Sequence, residues 1–194
     1  MKVVKKFDRD KRTELVSRIF DEVLMKNDYP LPFNRLEFHI RDFDVTSFEE
    51  DKALICLSYN NPFILEMDER GLAILVRHEL FRLTLRLTSP RLIEDVIVGK
   101  ELIKRGFGDE LFYMYYNLLM KSKHEEKVHS FVRANIPWII FSGLDDYNSK
   151  FLKELVSKLY KRKFPETKKL FLVLCKLSET NIRGALREFE SVMA

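Results

Sequence analysis

The chain has 194 residues, 46% of them hydrophobic and 33% charged, which suits one large domain, or a domain with a small appendage, around a sizeable core. Six Gly and six Pro exclude a collagenous or low-complexity chain, and the frequency of Phe, Leu, Ile and Val excludes disorder. Lys and Arg number 34 against 30 Asp and Glu, an excess of +4 that does not by itself announce a nucleic-acid binder.

Residues 8–26 carry Leu15, Ile19, Phe20 and Val23 at helical spacing, with Asp8 or Asp10 as N-cap. Two prolines in NDYPLP then break the helix. Residues 35–42 alternate in period two, Leu36, Phe38 and Ile40 against Glu37, His39 and Arg41, and predict a half-buried strand. ALICLSY (53–59) and PFILEM (62–67) flank Asn60 and Asn61, which predicts a hairpin. After Asp68 the pattern is helical. Residues 69–87 form a helix that is apolar on most of its circumference and therefore buried. Ser89 and Pro90 predict the N-cap and first position of the next helix, closed by Gly106, and Asp109 caps a third. A fourth covers 124–134, with Pro137 interrupting the apolar stretch beyond it.

Three short helices follow, at 149–162, 165–177 and 179–192. The segment 145–194 holds eleven Lys and Arg against seven Asp and Glu, so the whole excess of positive charge lies in the last quarter. The expected fold is α+β: an N-terminal helix, a small sheet of about three strands, and a helical body, as a domain at 1–144 with a basic helical subdomain at 145–194 packed on it.

Cys56 and Cys175 lie far apart in apolar runs, as two buried free thiols rather than a disulfide or a CxxC pair. No signal peptide opens the chain and no run approaches the ~20 apolar residues of a membrane span, so a cytoplasmic protein without membrane contact is expected. Glutamine is absent while Lys, Arg and Glu abound, a bias that fits a thermophile.

One segment has chemical shape: Arg77-His78-Glu79-Leu80-Phe81-Arg82. In HExxH, residues four apart lie ~40° apart around a helix, so two imidazoles face one metal while the Glu acts as general base. Here His78 and Glu79 are present and Arg82 takes the place of the second His. A strand, a hairpin, the HE-bearing helix and then a helix with Glu94-Asp95 make residues 35–120 resemble the zincin metallopeptidases, in degenerate form and of an archaeal or thermophilic branch. In the Glu-ligand branch of that family, the acid on the following helix is the third ligand, which implies His78 with Glu94, or its neighbour Asp95, as metal ligands and Glu79 as catalytic base. The further ligand would have to come from Asp95 or His39.

Arginine has no lone pair for a metal. Its charge at ~4 Å from the metal would cost about 4 kcal/mol per unit charge even at an effective dielectric constant of ~20. The expectation is therefore a protein whose metal is replaced by an ion pair of Arg82 with Glu94 or Asp95, with no cofactor, acting by binding a protein or peptide partner. An ordinary helix surface and first turn would produce the same residues. A zinc-dependent hydrolase with a non-standard ligand set is the alternative. A third reading is contact with nucleic acid through Lys158, Lys161, Arg162, Lys163, Lys168 and Lys169, a cluster that equally suits a solvated helix end.

The second histidine pair, His124 and His129, is five residues apart, ~140° around a helix, and cannot share a metal there. Phe112, Tyr113, Tyr115, Tyr116, Trp138 and Phe141 fit core packing more than a groove. Phosphate-loop and nucleophile-elbow motifs are absent.

Overall fold

The first eighty-odd residues alternate strand and helix, and the remainder is helical. The computed structural model describes residues 1–6, 10–27, 30–42, 44–58, 60, 66–86, 90–122, 124–162, 164–177 and 182–193, the side chains of 182–184 and 193 excepted. The chain divides into two compact units, Met1–Leu87 and Thr88–Ala194. The class is α+β, with a four-stranded mixed sheet in the first unit.

In the first unit, strand β1 (Lys2–Lys6) leads into helix α1 (Lys11–Met25), then β2 (Arg35–Arg41), β3 (Val45–Glu49), β4 (Lys52–Ser58) and helix α2 (Glu69–Leu85). Asp10 caps α1: its carboxylate accepts from the N–H groups of Arg12 and Thr13, and Thr13 bonds back in a capping box. Asp68 caps α2 by accepting from Gly71 N–H at 2.9 Å. The sheet order is β1-β2-β4-β3, with β1 and β4 parallel to β2 and β3 antiparallel to β4. Arg41 and Val45 therefore stand on either side of β4, and Asp44 ties the start of β3 to the end of β4 by accepting from Ser58 N–H at 2.6 Å.

Paired residues project to the same side of the sheet, so Phe38, Ile55 and Thr46 share one face and His39 and Cys56 the other. The first face is the core side. Leu36, Phe38, Ile40, Ala53, Ile55 and Leu57 are buried there, and Phe20 of α1 stacks on Phe38 with centroids 4.1 Å apart. The strand at 35–41 and both helices stand where the periodicity put them. Two strands were not expected: KVVKK is too short and lysine-rich to show a pattern, and VTSFE alternates only weakly. The strand expected from residue 53 is β4, Lys52–Ser58, with residue 59 outside the described residues; its hairpin partner is β3, upstream, and β2 holds its other edge. Residues 62–65, expected as that partner, lie outside the described residues, as does Ser89.

In the second unit, helices α3 (Arg91–Lys104), α4 (Gly108–Lys121), α5 (Val128–Phe141) and α6 (Asp146–Leu159) precede a 3-10 turn (Pro165–Thr167), α7 (Lys168–Cys175) and α8 (Ile182–Met193). Pro90 is the N-cap of α3 rather than its first residue, and Gly106 takes the positive φ of +90° just beyond the end. Asp109 lies in the first turn of α4, where it complements the dipole, while Phe107 occupies the cap. The fourth helix begins at Val128, not 124, and runs through Pro137. The ring removes one backbone donor, and burial of Ile136, Trp138, Ile139, Ile140 and Phe141 on either side keeps the helix going. The compositional boundary at 144/145 falls inside this unit, between α5 and α6, which pack on each other. Among the described residues, no helix is long and apolar enough to cross a membrane.

Candidate functional site

Helix α2 brings His78, Glu79 and Arg82 together in the interior of the protein, only 4%, 1% and 4% exposed. Three ionisable groups at that depth require partners, because burying an unpaired charge costs several kcal/mol. Glu79 Oε2 accepts from Arg82 Nη1 at 2.9 Å, one turn further along the helix, and from Thr46 Oγ1 of β3 at 2.5 Å. His78 Nδ1 lies 3.6 Å from Glu79 Oε1. The cluster thus joins the helix to the edge strand: Thr46 lies on the core face of the sheet, and its hydroxyl reaches the carboxylate beneath.

In the alternative reading, a zinc-dependent hydrolase, the Glu would hold a free carboxylate toward a water. Here a guanidinium and a hydroxyl already bind it. Arg82 has a charge-assisted bond to a partner on its own helix, at i,i+3 spacing. Thr46 and the Glu79–Arg82 pair were not read from the sequence; the spacing of Glu79 and Arg82 was a visible signal for the pair, whereas nothing local points to Thr46.

His39 projects from the opposite face of the sheet to Thr46, and its Nε2 lies 3.0 Å from Glu37 Oε2. Desolvation lowers its pKa, against the pull of Glu37. The strand's pleat therefore separates it from the Glu79 cluster, on the polar face where the period-two alternation puts it, so it is not the further ligand of that cluster. Glu94 stands in the first turn of α3 in the second unit and Asp95 just after it, Glu94 buried and Asp95 half-buried. Among the described residues, no three His, Cys, Asp or Glu side chains gather in metal-ligating geometry. Cys56 is buried and its thiol is pushed up by desolvation; Cys175 is half-buried rather than buried, and both are free.

Of the basic residues, Lys158, Lys161, Arg162, Lys168 and Lys169 are exposed, and Lys163 lies outside the described residues. Arg162 stacks over the Phe164 ring at 4.8 Å, and Lys169 pairs with Glu188 at 2.5 Å. The backbone N–H groups of Lys161 and Arg162 donate to the two oxygens of Glu126 at 3.0 and 3.1 Å. His124 lies before α5, its Nε2 2.6 Å from Leu119 O at the end of α4, while exposed His129 sits in the first turn of α5. Phe112 stacks on Tyr116 at 6.3 Å and meets Phe141 edge-on at 6.2 Å, as core packing predicts. Compared with models of protein families, with curated proteins and with solved structures, the chain matches none.

Proposed function

We propose that the first unit is a zincin-like domain whose HExxR helix no longer supports metal chemistry, and that the protein acts by binding a protein or peptide partner. The observation that carries this reading is the buried bond from Arg82 Nη1 to Glu79 Oε2 at 2.9 Å. The residues do not suit zinc. The second imidazole's place holds a side chain with no lone pair, and its fixed positive charge would repel a cation. The carboxylate that would accept a proton from water already accepts two hydrogen bonds.

Elemental analysis of protein purified without chelator tests the reading. The expected zinc content is far below one equivalent per chain, and a content near one equivalent overturns it. Arg82→His restores the missing imidazole and is expected to raise zinc affinity by at least about tenfold, a gain of ~1.4 kcal/mol. Unchanged metal affinity in that variant would count against descent from a metallopeptidase.

A further inference from the structure

The 160–162 segment, after the end of α6, presents two successive backbone N–H groups, those of Lys161 and Arg162, to a single carboxylate. Successive main-chain donors converging on one anion form a concavity that takes phosphate as readily as carboxylate, because each N–H meets an oxygen along its own bond direction. Two features make this one a candidate for a ligand rather than a closed loop contact. Its surroundings are cationic: Lys158, Lys161 and Arg162 are exposed beside it, and Lys168 opens the next helix. Its present occupant, Glu126, is itself exposed and sits in the non-helical stretch between α4 and α5, so its side chain can swing into solvent while the bonds of its neighbours Glu125 and Lys127 stay made.

The corner is otherwise well built. Ser130 Oγ and Tyr160 Oη are 2.5 Å apart, and Phe131 packs on Tyr160 and Phe164 with centroids 5.3 and 4.9 Å away. The two donors are therefore carried on a packed junction, while the acceptor arrives on a surface loop. Arg162 sits over the Phe164 ring, which holds the guanidinium close to the same corner.

We propose that the 160–162 segment is a phosphate-binding site which Glu126 occupies in the absence of ligand, so that the carboxylate competes with the incoming phosphate. A phosphate dianion brings more charge and a third oxygen to the same two donors and to the neighbouring cations, and it displaces a singly charged side chain. The phosphate comes either from a free small anion or from the backbone of a single-stranded nucleic acid; a backbone phosphodiester carries one charge and two free oxygens, and outcompetes Glu126 through its neighbouring phosphates on the surrounding cations.

Titrating inorganic phosphate and, separately, a single-stranded homopolymeric oligonucleotide into the full chain at low salt tests the proposal. Glu126→Gln keeps the shape and one acceptor oxygen but removes the charge. It is expected to bind at least one of the two probes about tenfold more tightly than the natural chain. Arg162→Glu added to that variant is expected to abolish the gain. Tighter phosphate binding identifies a small-anion site; tighter oligonucleotide binding alone, falling steeply with salt, identifies a polynucleotide site. The proposal is overturned if Glu126→Gln, shown folded by circular dichroism, binds both probes no better than the natural chain, or if neither binds. Glu126→Asp, a shorter carboxylate, separates charge from tethering: an intermediate affinity supports competition, and an affinity equal to that of Glu126→Gln overturns it.

Discussion

Lys100 is a buried lysine whose ammonium lies 3.3 Å from Leu174 O and 3.4 Å from Leu177 O, and it also bonds Cys175 O at 2.5 Å. It bonds carbonyls at and just beyond the end of α7, where intrahelical donors run out, and desolvation lowers its pKa below the ordinary 10.5. Because the folded value is the lower one, the unfolded chain binds more protons between the two values. Stability from this group therefore rises as pH rises from the folded pKa to 10.5, and is lost as pH falls back through the folded pKa. Urea unfolding between pH 8 and 10.5 is expected to show a less positive pH slope in Lys100→Met than in the natural chain. That variant is also expected to be less stable at neutral pH by about 1–3 kcal/mol, because it leaves carbonyls unsatisfied. An unchanged slope would remove Lys100 as the source. At this scale the sequence was partly legible. His78, Glu79 and Arg82 could be singled out because their spacing is local to one helix. Thr46 could not, since its hydroxyl reaches Glu79 from a residue 33 positions away. Glu126 was passed over for the same reason: its partners lie 35 and 36 residues further on.

Among the elements, those with strong periodicity or a good cap were readable and those fixed by neighbours were not. Helix α1 announces itself through Asp10 and its apolar stripe, and β2 through strict alternation. Strands β1 and β3 are edge strands of five residues each, held by pairing with β2 and β4 rather than by any pattern of their own. Helix α5 runs through Pro137 because the packing around it outweighs the cost of the ring. The approach of α3 to α5 is equally tertiary in origin. A Cβ added at Gly99 would lie 2.7 Å from Ile140 Cγ2, so Gly99→Ala must push the helices apart or rotate a β-branched side chain. A loss of about 1–3 kcal/mol is expected. Trp138, the sole tryptophan, is buried on α5, and its fluorescence during urea unfolding reports that loss directly. A midpoint equal to that of the natural chain would mean the contact relaxes without cost.

Across the whole molecule, the two units differ in how far apart in sequence their contacting residues lie. The first joins Lys2 to Arg35 and Arg35 to Lys52 in parallel ladders, each requiring a crossover to close first. The second packs helices largely against near neighbours in sequence, α5 on α6 and α7 on α8. Loop-closure entropy makes the first arrangement the slower to form. On dilution from denaturant, Trp138 fluorescence is expected to recover about tenfold faster than the infrared signal of the sheet. Coincident traces would show that sheet topology does not set the slow step.

Local chemistry alone was sufficient for the α+β class, for most helix positions, for the central strands and for the choice of the His78–Arg82 segment, because each depends on periodicity or on side chains within a turn of one another. The Thr46 bond to Glu79, the pairing of edge strand β1 with β2 and the seat of the Glu126 carboxylate were decided only by the folded chain. Each of these depends on groups distant in sequence being brought within hydrogen-bond reach, and no local pattern encodes that distance.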